Sequence, residues 1–150
     1  MHEKFFKIAR QNMVKNQIIT NNVMNPDLLD AITEIKKENF VPTELHDLTY
    51  SDSDIKVHNS RFLARTFILA KMIEKCEFSK NDSVLVIGCL SGYTLAILSN
   101  LVNYVFGIEN EQKFVDSANE TLSSMNFHNC SVFFSKNLSA VVFSLTGMTI

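Results

Sequence analysis

The sequence is poor in several features that mark particular classes of protein. Its 150 residues include no tryptophan, two prolines, four glycines and three cysteines. The cysteines, Cys76, Cys89 and Cys130, are widely spaced and form no C-x-x-C pair, which argues against a disulfide framework and against a zinc site. No segment approaches the ~20 apolar residues needed to span a bilayer. The charged opening MHEKFFKIARQNM also lacks the apolar centre of a secretory signal, so we predict a cytoplasmic protein.

The chain also lacks an excess of charge of either sign. Its net charge of -2 gives no reason to expect nucleic acid or an anionic membrane as a partner. What it has is apolar side chains, since 46% of the residues are hydrophobic and 20% are charged, a balance typical of a globular protein. A single domain of this length buries about 70% of its unfolded surface. Twelve phenylalanines and no tryptophan indicate a core of rings that need no buried polar partner.

Residues 1–80 are predicted to form an N-terminal helical cap region. Apolar residues recur loosely at helical spacing from Phe5 to about Thr20. Asn25 is a good N-cap for a second helix, which ends before Pro42 because the residue preceding a proline avoids the helical region. A polar segment with a short extended piece at 55–57 follows, and helical spacing resumes over 61–76.

Residues 81–137 show a different pattern, in which strands alternate with helices. The run SVLVIG at 83–88 is continuously apolar and β-branched, which is typical of a parallel strand covered on both faces. The pattern then predicts a helix at 94–102, a strand at 104–109, a helix at 111–125 and a strand at 130–135. This alternation predicts an α/β fold with a parallel sheet and helices on both faces. Residues 138–150, LSAVVFSLTGMTI, form an apolar tail or a fourth strand.

The turn GCLSGY at 88–93 is the candidate ligand site. A glycine-rich turn from strand to helix lets the backbone pass close to a ligand and presents helix amides to its polar groups. Glu109 ends the next strand, 21 residues after Gly88, where an acid can bind ribose hydroxyls. Gly88 and Gly92 match two glycines of the G-x-G-x-G turn associated with S-adenosylmethionine, whereas the dinucleotide pattern G-x-G-x-x-G is matched once. The spacing therefore disfavours NAD, and a purely structural turn stays open as the alternative.

No side-chain constellation identifies catalytic residues or a metal site. The four histidines, His2, His46, His58 and His128, are scattered and form no pair at metal-ligand spacing. Cys89 lies within the turn but has no histidine near it in sequence, so we predict that it packs and is not a nucleophile. The catalytic residues are left unassigned.

Several stretches together resemble the protein-L-isoaspartate O-methyltransferases. They are, in order, RQNMVKNQIITNNVMNPDLLDAITEIKKENFVP, LTYSDSDIKV and SVLVIGCLSGYTLAILSNLVNYVFGIE, and the resemblance covers roughly residues 9–136. It implies an incomplete Rossmann-like methyltransferase fold, S-adenosylmethionine as methyl donor, and isoaspartyl residues of damaged proteins as substrates. It also implies that the donor is bound by Gly88, Ser91, Gly92 and Glu109.

Five positions depart from the pattern of that family. Val86 stands where the family usually has an acid, Leu90 replaces the middle glycine, and Lys136 replaces an acid near the adenine. On the substrate side, Ala64 and Thr66 stand at the serine and proline of an IS-x-P loop. Leu90 matters most, because a β-carbon makes positive φ costly by ~1–2 kcal/mol and its isobutyl group is expected to obstruct the donor.

Two functional hypotheses follow from these departures. One is a methyltransferase of this family that acts on isoaspartyl proteins, and the other is a non-catalytic remnant or binding module on the same scaffold. We expect the later strands of the family to have no counterpart after about residue 137 of this sequence. An open sheet exposes an edge and an apolar face, which favours a homo-oligomer or another partner.

We predict that S-adenosylmethionine binds weakly if at all, and that Leu90→Gly combined with Val86→Asp strengthens binding by restoring two positions that face the donor. Calorimetric titration of both proteins measures the change. Micromolar affinity of the unaltered chain would contradict this prediction.

Overall fold

A computed structural model gives the fold of residues 2–137, and the tail at 138–150 lies outside the described residues. The helices and strands are α1 (His2–Met13), α2 (Pro26–Glu34), β1 (Ile55–His58), β2 (Arg61–Leu63), α3 (Thr66–Cys76), β3 (Ser83–Ile87), α4 (Tyr93–Ser99), β4 (Tyr104–Glu109), α5 (Gln112–Ser124) and β5 (Cys130–Phe134). β3, β4 and β5 form a parallel sheet in that order, and β1 pairs with β2 as an antiparallel hairpin. The predicted α/β fold with a helical N-terminal region is confirmed. Among residues 2–137, no helix has the length and apolar character needed to cross a bilayer.

The sheet and its crossover helices follow from the alternation of strands and helices in the sequence. Leu85 of β3 is in register with Phe106 of β4. α4 can lie close to the sheet because Gly107 of β4 has no side chain, since a β-carbon there would come within 2.9 Å of Leu95 Cδ2. Parallel pairing places the carboxyl ends of all three strands at one edge of the sheet.

The two faces of the sheet are buried to different degrees. Val105, Gly107 and Val132 are buried on the face that carries α4. Ile87 and Phe133, by contrast, are 52% and 53% exposed. The expectation that β3 is covered on both faces is therefore wrong for the described residues. Two successive right-handed crossovers in one direction place α4 and α5 on the same face, which accounts for the difference.

Asn119 of α5 closes the outer edge of β5. Its side-chain amide donates to the carbonyl of Val132 at 2.9 Å, and its side-chain oxygen accepts from the Val132 N–H at 3.0 Å. The backbone at the middle of an edge strand is thus paired without another strand.

The N-terminal region differs from its prediction in three places. The helix capped by Asn25 is predicted to end just before Pro42, but α2 ends at Glu34 and a 3-10 turn, Lys37–Phe40, follows it. The first helix is regular only to Met13 and continues as a π-helical turn, Val14–Ile18, and a 3-10 turn, Ile19–Asn21. Residues 61–63, predicted as helix, form β2 because they pair with β1 across a short turn, an example of tertiary contact overriding local pattern. The predicted cap at Asn25 is confirmed, since its side-chain oxygen accepts from the Leu28 N–H at 3.0 Å.

A buried ionic cluster joins α1 to the turns that follow α2. Arg10 donates through Nε to the carbonyl of Thr33 at 2.7 Å and through Nη1 to the Tyr50 hydroxyl at 3.0 Å. Its guanidinium also pairs with Glu38 at 3.4 Å, and the Tyr50 hydroxyl donates to the same carboxylate. Burial raises the pKa of Tyr50, so this hydroxyl keeps its proton and stays a donor.

Lys37 is fully buried beside α3 and α4. Its Nζ donates to Thr66 Oγ1 at 2.9 Å and lies 5.4 Å from the centre of the Tyr93 ring. Burial lowers the pKa of Lys37 from 10.5 to about 8, although the charge of Asp54 opposes that shift. At neutral pH the protein therefore carries a desolvated ammonium group, which costs stability.

Replacing Lys37 with methionine is expected to raise the free energy of unfolding at pH 7 by at most about 3 kcal/mol, the energy of a pKa difference of this size, because the hydrogen bond to Thr66 is lost as well. The folded-state pKa lies below the unfolded one, so between about pH 8 and 10.5 the unfolded chain binds more protons and wild-type stability rises with pH. Urea unfolding of both proteins at several pH values measures this, and their difference isolates Lys37 from the tyrosines and cysteines. A difference that stays constant from pH 7 to 10 would contradict the prediction.

Candidate functional site

The turn between β3 and α4 lies at the carboxyl edge of the sheet. The Gly88 N–H donates to the carbonyl of Ile108 in β4 at 2.8 Å, which continues the sheet pairing into the turn. Three residues of the turn have a positive φ: Gly88 at 73°, Leu90 at 50° and Gly92 at 94°. The turn therefore has the left-handed geometry for which its glycines are suited.

The carboxylate of Glu109, the last residue of β4, lies against the backbone of this turn. The side chain is completely buried. Its Oε2 accepts from the Leu90 N–H at 2.9 Å, and its Oε1 accepts from the Asn110 N–H at 2.8 Å. The glycine turn and the acid that the sequence pairs at a distance are thus brought into direct contact.

Arg61 of β2 binds the same carboxylate with both ends of its guanidinium. Nη1 donates to Oε1 of Glu109 at 2.5 Å, and Nη2 donates to Oε2 at 2.7 Å. Nη2 also lies 3.6 Å from the point that a β-carbon on Gly88 would occupy. The guanidinium therefore covers the first glycine of the turn. This contact was not predicted from the sequence, because Arg61 is 48 residues from Glu109 and falls in a segment with helical spacing.

Side chains at the start of α5 hold the hairpin in place. Arg61 Nη1 donates to Asn110 Oδ1 at 3.1 Å and to Glu111 Oε1 at 3.3 Å, and its guanidinium carbon lies 5.4 Å from the centre of the Phe114 ring. His58 Nε2 lies 3.4 Å from Glu111 Oε2. The β1–β2 hairpin is thereby fixed against the carboxyl edge of the sheet.

Burial and neighbouring charges shift the pKa values of three groups at this edge. Burial alone would raise the pKa of Glu109, but the bonds from Arg61 and from the amides of Leu90 and Asn110 outweigh it and hold that pKa below its usual range. The bond to Glu109 likewise raises the pKa of Arg61. Burial, together with the charge of Glu109, raises the pKa of Cys89 to about 12. Cys89 is a protonated, buried thiol, which agrees with the packing role predicted for it.

Leu90 does not play the part predicted from the sequence. Its positive φ is as expected, but its side chain is 7% exposed and belongs to the apolar core. The group beside Gly88 is the Arg61 guanidinium. The obstruction predicted for Leu90 is therefore not what the structure shows.

The other two predicted site residues contact the protein itself. The Ser91 hydroxyl donates to the carbonyl of Phe40 at 2.5 Å, which ties the turn to the N-terminal region. A β-carbon on Gly92 would lie 3.2 Å from Leu122 and 3.3 Å from Ala118, so this glycine lets α4 and α5 approach. Beside Ser91 lies a cavity of about 160 Å³, smaller than the ~300 Å³ at which ligand pockets begin.

Comparison with known proteins identifies the family. Residues 8–139 match the family model described as Protein-L-isoaspartate(D-aspartate) O-methyltransferase (PCMT). This chain belongs to the protein-L-isoaspartate O-methyltransferase family. The resemblance seen in the sequence is confirmed, and the family is S-adenosylmethionine-dependent.

Curated relatives give the extent of the similarity. The chain is 31% identical over 124 residues to Protein-L-isoaspartate O-methyltransferase 2 of Pelobacter propionicus, covering 83% of this chain and 55% of the relative. It is 34% identical over 127 residues to Protein-L-isoaspartate O-methyltransferase 2 of Shewanella sediminis, covering 85% of this chain and 52% of the relative. The chain thus spans about half the length of these relatives.

Solved structures support the fold. A protein-L-isoaspartate O-methyltransferase superposes with a TM-score of 0.69 at 20% identity, covering 90% of this chain and 42% of the other. A putative protein-L-isoaspartate O-methyltransferase from Plasmodium falciparum, described in complex with S-adenosyl-L-homocysteine, gives a TM-score of 0.67 at 11% identity, covering 83% and 62%. At these identities the likeness establishes an incomplete Rossmann-like methyltransferase fold.

Replacing Leu90 with glycine is expected to destabilise the protein. The change relieves about 1 kcal/mol of backbone strain, but it deletes a buried leucine side chain at a cost of ~2–5 kcal/mol. Glu77 is a matched control, because it has a φ of 51° and is exposed, so Glu77→Gly should be neutral or stabilising. Urea unfolding of the three proteins measures both changes. A Leu90→Gly variant as stable as the wild type would show that Leu90 contributes nothing to the core.

Proposed function

We propose that this chain binds S-adenosylmethionine and its product S-adenosylhomocysteine at the carboxyl edge of β3 and β4, as a methyltransferase for isoaspartyl residues in damaged proteins. The contact between the buried Glu109 carboxylate and the Leu90 amide of the glycine turn carries this proposal. It joins an acid suited to ribose hydroxyls to a turn suited to close approach of a ligand. Family membership supports the reaction and the substrate class. The donor-binding residues in this proposal are Gly88, Ser91, Gly92 and Glu109.

The proposed methyl transfer requires few catalytic side chains from the protein. The acceptor is a carboxylate, ionised at neutral pH because its ordinary pKa is about 4, so no strong general base is needed. Such a site works mainly by positioning its reactants and by removing water from the nucleophile. A site without an assigned acid–base pair is therefore compatible with the family's reaction.

The side chains do not fit the donor in the arrangement that the structure shows. Ribose hydroxyls need free acceptor oxygens, and both oxygens of Glu109 are bonded to Arg61 and to backbone amides. Val86, partly buried in β3, offers no charge to the donor's amino group. These observations favour a second candidate, a non-catalytic binding module on the same scaffold.

We also propose a location, partners and a domain organisation for this protein. The three widely spaced cysteines support a cytoplasmic location, and the net charge of -2 supports the absence of nucleic-acid or membrane partners. Self-association through the open sheet is supported by the exposure of Ile87 and Phe133. We assign residues 1–150 to one domain, with the helical cap region at 1–80, the donor-binding unit at 81–137 and the tail at 138–150.

Glu109→Ala is expected to abolish the weak binding of S-adenosylhomocysteine that we predict for the wild type, because the ribose loses its acceptor. Glu120→Ala is the matched control, since Glu120 is an exposed carboxylate in the C-terminal half of α5. Calorimetry measures binding, and circular dichroism checks that both variants are folded. Equal binding by wild type and Glu109→Ala would place the donor elsewhere.

Methyl transfer separates the two candidate functions. Labelled S-adenosylmethionine is offered with an isoaspartyl peptide and with the same peptide carrying ordinary aspartate. Transfer to the isoaspartyl peptide alone identifies the enzyme, whereas binding of S-adenosylhomocysteine without transfer identifies the binding module.

A further inference from the structure

Every lone pair that Glu109 can offer is already occupied. A carboxylate has about four acceptor positions. At Oε1 they are taken by Arg61 Nη1 and the Asn110 N–H, and at Oε2 by Arg61 Nη2 and the Leu90 N–H. A ribose can therefore reach this carboxylate only after one of these donors has left.

Of the donors, Arg61 is the one that can leave. The amides of Leu90 and Asn110 belong to the backbone that continues β3 and β4, so their positions are fixed by the sheet. Arg61 extends a long side chain from β2, a strand of three residues in a two-stranded hairpin. Hairpins of this size are marginal without contacts to the rest of the protein.

The guanidinium presents to Glu109 what a ribose would present. Two parallel N–H groups contact the two carboxylate oxygens, the fork geometry of paired arginine and carboxylate groups. The vicinal hydroxyls of a ribose also offer two donors side by side. In addition, Nη2 lies beside Gly88, 3.6 Å from the point that a β-carbon there would occupy.

A displaced Arg61 would keep a partner. Glu111 Oε1 lies 3.3 Å from Nη1, and this carboxylate is 30% exposed at the surface. The guanidinium can thus move outward and stay paired, while the buried Glu109 carboxylate keeps the Leu90 and Asn110 amides and would accept from the ribose hydroxyls in place of Arg61.

We propose that Arg61 determines the affinity of this chain for a nucleoside by competing with the ribose hydroxyls for Glu109. The inference rests on the proposed function, which assigns Glu109 to the ribose. The chain binds the nucleoside only in the fraction of molecules whose Arg61 is displaced, so its apparent dissociation constant is raised by the inverse of that fraction.

The decisive variant is Arg61→Met, which keeps an apolar stem against Phe114 and removes the donors. We expect it to bind S-adenosylhomocysteine at least about tenfold more tightly than the wild type, since the competing state is gone. Arg65→Met is the matched control. Arg65 follows β2 in the chain but pairs at the surface with Asp54 and Asp52, so its loss should leave the affinity unchanged.

A pair of ligands tests whether the ribose hydroxyls are the competing groups. The gain from Arg61→Met should appear with adenosine and be absent with 2′,3′-dideoxyadenosine. Arg61→Lys keeps the charge but loses the fork, so it should bind adenosine with intermediate affinity and serves if Arg61→Met fails to fold.

A measurement without ligand reports on the ion pair itself. The Glu109 carboxyl is followed by ¹³C NMR as pH is lowered. In the wild type its pKa lies below the usual range, and in Arg61→Met it should rise, because burial is then opposed only by the two amides.

The outcomes separate this inference from the proposed function. Equal or weaker binding of S-adenosylhomocysteine by Arg61→Met, with measurable binding by the wild type, overturns the competition and leaves the proposed function standing. A gain that is the same for adenosine and its dideoxy analogue also overturns it. Binding by neither protein, with the Glu109 pKa raised in the variant, overturns both.

Discussion

The buried carboxylate of Glu109 is the point on which the structure of this site depends. A charge withdrawn from water has to be paired and hydrogen-bonded, and the pairing here draws on the turn after β3, the end of β4 and the β1–β2 hairpin. The same group is thus a structural anchor for the hairpin and the acceptor that a ribose would need. Under the proposed function, stability and ligand binding require the same carboxylate, and the hydrogen bonds of the structure serve stability.

Features that depend on local pattern were predictable from the sequence. The parallel sheet follows from runs of apolar residues separated by helical segments, and the N-cap at Asn25 follows from a polar side chain placed before Pro26. The proximity of Gly88 and Glu109 was predictable as well, because parallel strands end at a common edge. The family resemblance rested on these same stretches, and the family comparison confirms it.

Features that depend on contacts between distant segments were not predictable. Arg61 lies in a stretch with helical periodicity, yet pairing with β1 makes it part of a strand and aims it at an acid 48 residues away. The position of Leu90 in the glycine-rich turn predicted its positive φ. It did not predict that the side chain is buried in the core. The burial of Lys37 was not predictable either, because lysine is rarely buried and its neighbours in sequence are charged. In each case the deciding partner comes from another part of the fold.

The side-chain amide of Asn119 determines at which edge a further strand can join the sheet. The Asn119 side chain makes the two hydrogen bonds that a neighbouring strand would make with Val132, the middle residue of β5. A newly arriving strand would have to break two bonds to dock there. Lateral extension of the sheet is therefore steered to the opposite margin, along β3, next to the same turn that carries Gly88.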